Sequence, residues 1–206
     1  ALKPEFNAAE NFTIDTKKAN ELRRLGFSAV LTHRNDGIAR GSGALVNLAE
    51  HSENESIIKA KASAHYSFFK GTSRQVYPGS LMGMIALLKQ TYYDAQWYER
   101  IGYKEQTNLS LQAWNDLQTL PQFFRSGDYL SSLRAAKIAK QFSKQYIFLG
   151  SGDEYKRIDE FSSKNLRVVL PLNFPDAYDV EDPFMSDFVT VSYTHLTLPT
   201  SDLVEI

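Results

Sequence analysis

The sequence predicts an α/β fold with a parallel sheet. Three observations carry that prediction: short apolar strand-like runs alternate with amphipathic helical stretches, the connections between them are brief, and turn formers sit where one type gives way to the other. Alternation of this kind builds right-handed βαβ units, hence either a Rossmann-like layer or a barrel. With 206 residues the chain is shorter than the roughly 250 of a closed eight-fold barrel, so any barrel it forms is incomplete.

The first helix is expected over Asp15–Leu25. Asp15 or Thr16 caps it, Ala19, Leu22 and Leu25 repeat at helical spacing, and Gly26 stops it. A strand follows at Phe27–Thr32, mostly apolar, as expected where helices cover both faces of a sheet. His33–Gly43 reads as a polar loop, rich in turn formers and carrying two arginines, before an apolar strand-like run at Ala44–Leu48. Glu50–Glu55 marks a surface turn. The clearest helix spans Ser80 to about Arg100, with Leu81, Ile85, Leu88, Tyr92, Ala95 and Tyr98 on one stripe and Lys89, Gln90, Asp94 and Glu99 opposite.

A shorter helix is expected at Leu109–Leu117, then a strand at Leu120–Phe124 that ends in the loop Arg125–Asp128. A helix over Tyr129–Phe142, a strand at Gln145–Leu149, a helix at Glu154–Ser162 and a strand at Arg167–Leu172 complete the alternation. Aromatic residues make up 13% of the chain, and a core rich in Phe and Tyr is the simplest use for them.

Charge narrows the partners. Lys and Arg number 23 against 24 Asp and Glu, a balance that gives no electrostatic reason to expect nucleic acid or an anionic membrane surface. No run approaches eighteen apolar residues, so no membrane-spanning segment is expected. The absence of cysteine excludes disulfides, thiolate metal sites and a cysteine nucleophile. The chain begins at Ala1, and its first ten residues carry neither a cationic start nor an apolar stretch; the expectation is that the protein's true N-terminus lies upstream.

Few motifs carry chemistry. The glycines between Gly37 and Gly43 lack the Gly-X-Gly-X-X-Gly spacing of a dinucleotide site, and no phosphate-binding loop with a terminal Lys-Ser/Thr is present. Gly150-Ser-Gly152 could turn backbone amides toward an anion, although a tight strand-to-helix turn explains it as well. The four histidines, His33, His51, His65 and His195, form no His-X-His or His-Glu-X-X-His pair, so no metal site is visible. His65 is expected to pack beside Tyr66, and His51 to be solvated. Asp36, Asp128 and Asp153 follow strands and could act as bases if buried, but Asp128 and Asp153 each precede a helix, where capping accounts for them. Ligands gather at the C-terminal ends of strands in barrels and open α/β sheets. The strand-end loop residues expected to face a substrate are therefore His33, Arg125 and Asp153.

Several ordered blocks resemble one family. Leu25-Gly-Phe-Ser-Ala-Val-Leu-Thr32, Gly41-Ser-Gly-Ala-Leu-Val-Asn-Leu48, Ala62-Ser-Ala-His-Tyr-Ser-Phe68, the helix opening at Ser80, Tyr129–Phe142 and Gly152-Asp-Glu-Tyr155 together resemble imidazolonepropionase-like amidohydrolases, in particular large two-part bacterial members. The resemblance covers about residues 1–190. It implies a partial TIM-type (β/α) barrel with parallel strands, incomplete at both ends, from a parent that uses zinc or another divalent metal to activate water against an amide or cyclic C–N bond. It also implies a small-molecule or peptide substrate, the missing remainder of the parent chain as a partner, and a periplasmic or envelope location.

The sequence departs from that family where metal-holding histidines are expected, near Leu120–Arg125 and Gly150. Phe123 and Phe124 offer no lone pair, and Gly150 offers no side chain. The family's early His-X-His strand and late aspartate strand are expected outside the chain. A degenerate barrel half that binds a peptide or small ligand is the alternative, and a nucleotide-binding α/β domain a weaker one. From about Val191 the composition changes, and Ser192–Val204 resembles a translated sequencing-adapter tail, so residues 191–206 are expected to be non-native and His195 to carry no function.

Overall fold

The computed structural model describes residues 1–49 and 52–171; the expectations for His51, Leu172 and the 191–206 tail lie outside them. The chain packs as two compact units, the first Ala1–Phe124 and the second beginning at Arg125.

In the first unit, α1 (Thr16–Arg24) is capped by Asp15, whose carboxylate accepts from Lys18 N, and ends before Gly26 at φ 93°. Strand β1 (Ala29–Thr32) follows, then β2 (Ala39–Asn47), the single turn α2 (Glu53–Ser56) and β3 (Ile57–Ser67). Helix α3 (Leu81–Trp97) is capped by Ser80, passes through a π-turn at Tyr98–Gly102 and closes with the short α4 (Tyr103–Glu105). Helix α5 (Leu109–Leu117) leads into β4 (Gln122–Arg125).

Sheet polarity corrects the all-parallel expectation. Strand β2 is antiparallel to β1, with Leu31 opposite Leu45 and Thr32 opposite Ala44, and it is antiparallel to β3 as well. Because β1 and β3 both oppose β2, they point the same way. Strand β4 neighbours β3. Ala64 N donates to Pro121 O (2.9 Å), while further along His65 meets Phe123 and Phe68 meets Phe124, so contacts advance together on both strands. Three of the four strands of this unit therefore share one direction, with β2 running against them.

The polar stretch expected to be a loop supplies half of β2, and the cause is tertiary. Residues 1–8 lie along it: Lys3 N donates to Ala39 O, Ser42 N to Phe6 O and Ala8 N to Ser42 O. Those bonds satisfy a backbone whose composition would otherwise favour turns. Gly41 makes the approach possible, since at φ 79° a Cβ there would stand 2.0 Å from Phe6 O.

Side chains alternate along β3. Tyr66 faces the helices, meeting Trp114 of α5 edge-on at 5.3 Å, and Tyr92 of α3 meets Trp114 at 5.0 Å. Leu88, Ala95 and Leu117 fill the same buried layer. This is the aromatic core the composition foretold, and removing the Trp114 ring would cost about 3–5 kcal/mol.

In the second unit, α6 (Tyr129–Gln141) is capped by Asp128, which accepts from Ser131 N. Strand β5 (Tyr146–Leu149), a 3₁₀ turn at Glu154–Arg157, α7 (Ile158–Ser163) and β6 (Arg167–Val169) follow. Here the expected strand–helix–strand unit is present. Strands β5 and β6 are parallel, Phe148 standing opposite Val168.

Candidate functional site

The sheet topology sets where a site can form. With β1, β3 and β4 co-directional, their C-terminal ends share one edge of the first unit, and His33 immediately follows β1 on that edge.

His33 is half-buried and stacks on His65, the ring centroids 3.8 Å apart and the planes 13° from parallel. Phe123 of β4 lies on from His65 at 5.3 Å and 11°. Three rings from three chain segments thus form one stack. The expectation that His65 packs beside Tyr66 fails for a geometric reason: adjacent strand residues face opposite sides, so Tyr66 turns to Trp114 while His65 turns to His33.

A glycine opens the space. Gly43 of β2 stands opposite Ser63 of β3, and a Cβ on it would come within 2.6 Å of both His65 Nε2 and Ser63 Oγ. Its missing side chain lets the two rings meet across β2.

The polar contacts assign roles. His33 Nδ1 lies 2.8 Å from Arg34 O, and since a carbonyl only accepts, that nitrogen carries the proton. His65 Nε2 and Ser63 Oγ are 2.8 Å apart, both residues buried. Burial, followed by the neighbouring His33 and Arg40 charges, pushes His65 down from 6.5 to about 3, so it is a neutral imidazole at physiological pH. The result is a rigid neutral ring that positions a more exposed histidine at a strand end. The Ser–His pair lies beneath the surface, where no substrate reaches it directly.

Asp36 is a loop-shaping residue. Its carboxylate accepts from Thr72 N (2.8 Å), Thr72 Oγ1 (2.9 Å) and Arg34 Nη2 (2.9 Å), and these bonds, the Thr72 amide first, hold it below the usual carboxylate range.

The other two expected site residues belong to the second unit. Arg125 is exposed at the C-terminal end of β4. Asp153 follows β5, but it does not cap its own helical turn; its Oδ1 accepts from Tyr129 N (3.1 Å) at the start of α6. A 3₁₀ turn presents its amides differently from an α-helix, whereas the α6 N-terminus offers aligned donors within reach. Asp128 and Asp153 therefore both serve α6.

The Gly150–Gly152 turn does face its amides toward an anion, and the anion is internal. Glu154, 1% exposed, accepts from Ser151 N (2.7 Å), Gly152 N (3.0 Å) and Ser151 Oγ (3.0 Å). The sequence expectation for Glu154 is only the start of a helix. Its spacing from Ser151 and Gly152 was the available signal.

Among the described residues no group of three or more His, Cys, Asp or Glu is placed to hold a metal ion. Phe123 and Phe124, where the resemblance places a ligand, are a stacked ring and a fully buried one, so the described residues do not fit a complete metal site. No helix among them is long and apolar enough to cross a membrane.

No protein-family model matches the chain. No curated protein matches it either. Among solved structures, the crystal structure of an amidohydrolase from Thermotoga maritima MSB8 superposes with a TM-score of 0.70 at 18% identity, covering 87% of this chain and 51% of that one. The chain therefore spans about half the length of that protein, and at this identity the likeness is one of fold: a mixed α/β architecture shared with an amidohydrolase.

Proposed function

We propose that the chain is part of a metal-dependent amidohydrolase of the imidazolonepropionase-like kind, acting on amide or cyclic C–N bonds as a partial TIM-type barrel. The observation that carries this reading is the common direction of β1, β3 and β4, which puts His33 and the loop after β3 on the edge where barrel enzymes bind substrates. The fold likeness supports it. In this reading the metal, zinc or another divalent ion, is held mainly by residues outside 1–171, and it supplies activation of water. His33, Arg125 and Asp153 are proposed to face a small-molecule or peptide substrate; His65 and Gly43 hold His33 in place.

The test is the complete reading frame. It should encode a His-X-His strand upstream and further histidines and an aspartate strand downstream, and the purified protein should retain stoichiometric metal and hydrolyse N-acyl or cyclic amide substrates. A complete gene without those ligands, yielding metal-free protein, would remove the hydrolase reading.

One observation favours the second reading, a binding module without catalysis. Phe123 occupies the end of the histidine stack, where an aromatic face suits holding a ligand and gives nothing to a metal. Turnover and metal content of the full protein separate the two: bound metal with turnover that falls on replacing His33 supports the hydrolase, and metal-free protein that binds a ligand without turnover and loses it on replacing Phe123 supports the module.

A further inference from the structure

A cavity of about 370 Å³ opens beside the loops that follow β1 and β3, and Lys3, Arg34, Asp36, Lys70, Thr72 and Gln75 are among its lining residues. Three of those six are cationic and one is anionic. The lone carboxylate is already committed: Asp36 accepts from the Thr72 amide and hydroxyl as well as from Arg34. It shapes the wall and leaves the cavity positive.

The cations are held in place before any ligand arrives. The Arg34 guanidinium lies 5.4 Å over the Phe6 ring and gives Nη2 to Asp36, so one part of its five-donor fork is used and its plane is set. Lys70 Nζ donates to the carbonyls of Gln75 and Val76, which fixes its ammonium at the cavity wall. Lys3 is exposed at the rim. The size lies within the range of small-ligand pockets, and the place is the strand edge on which α/β proteins bind ligands.

We infer that this cavity is a binding site for a small oxyanion, a carboxylate or phosphate group, gripped by Arg34, Lys70 and Lys3 with Thr72 and the loop amides around them. Arg supplies paired donors to two oxygens of such a group, while Lys supplies point charge. The site stands independently of the hydrolase reading, because it uses none of the residues proposed to handle a C–N bond.

The test titrates inorganic phosphate and, separately, succinate into the chain at low ionic strength, followed by amide chemical shifts. The titration uses chain acetylated at its N-terminus, so that no charge at Ala1 contributes. Saturable shifts centred on Arg34, Gly37, Lys70 and Thr72 are expected. Lys3→Gln with Lys70→Gln should weaken binding about tenfold, the effect of losing two charged contacts, with melting unchanged because both residues lie toward the surface. Arg34→Lys should weaken it by keeping charge but losing the fork, and the remote Lys104→Gln should leave it within about twofold. Shifts that never saturate, equal weakening by Lys104→Gln, or binding untouched by the Lys3/Lys70 pair would overturn the proposal. Affinity for phosphate that rises between about pH 6 and 8 as its second proton leaves, with succinate weak, names phosphate as the source. Tighter, pH-independent succinate binding names a carboxylate.

Discussion

The two strand-end polar centres of this chain differ in how they are held. Around Glu154, the hydrogen bonds from Ser151 and Gly152 lie within three residues: a carboxylate folds back onto the amides of its own turn. Around His65, the partners come from β1, β2, β3 and β4, and the centre exists only because Gly43 leaves a gap between strands. The first is a local device that stabilises a turn. The second is a long-range assembly that sets the orientation of a half-buried histidine at a strand end. Its neutral buried ring and its dependence on one glycine make it the more vulnerable to pH and to a single methyl group.

Acid gives the largest expected separation between the two centres. An unfolded histidine takes up a proton near 6.5, whereas folded His65 does so only near 3, so below about pH 6.5 the unfolded state binds more protons. Stability contributed by this residue is complete above that pH and lost as pH falls toward 3, at most about 5 kcal/mol. Urea denaturation across this range should show the loss, and His65→Gln should flatten the slope; an unchanged slope would mean that His65 titrates normally and the stack is open.

Truncating the local centre comes next. Glu154→Ala strands two amides that a carboxylate now satisfies, while the Ser151 hydroxyl keeps Asp153 Oδ1 as acceptor, and should cost about 2–3 kcal/mol in chemical denaturation, with Glu154→Gln recovering part of it. Equal stability for Glu154→Ala would show that water replaces the carboxylate there.

Gly43→Ala should cost about 1–3 kcal/mol, because neither His65 nor Ser63 has room to move in the buried layer. It should also separate the two rings, which the ring-current shifts of the His33 and His65 protons would register. A stable variant with unchanged shifts would refute the role given to the glycine.

The smallest effect is at α6. Asp128→Ala should cost about 1 kcal/mol by removing the cap on Ser131 N, and Asp153→Ala somewhat less, since its bond to Tyr129 N is longer and uses an oxygen shared with the Ser151 hydroxyl. A loss at Asp153 larger than at Asp128 would reverse the assignment of the principal cap.

Reading the sequence placed the elements whose causes are local. Asp15, Ser80 and Asp128 stand before helices whose first-turn amides they accept from, and the stripe through Leu88, Tyr92 and Ala95 is the buried face of α3. The β5–β6 unit was equally readable, because both strands are short apolar runs joined through a helix. His33 was singled out for its place after a strand, and that place is where the structure has it. The partner that defines it was not legible: His65, 32 positions away, reads as a core histidine until the register of β2 and β3 is known.

By itself, then, the sequence determined the capped helix starts at Asp15, Ser80 and Asp128, the α/β class and the aromatic character of the core, since caps, periodicity and composition act over a few residues. Tertiary structure alone decided that residues 39–43 form a strand, that β2 runs against its neighbours, and that His33 meets His65 across Gly43. Those outcomes depend on backbone hydrogen bonds and close approaches between segments far apart in the chain, and a pattern of neighbouring residues holds no record of which distant segment will supply the missing partner.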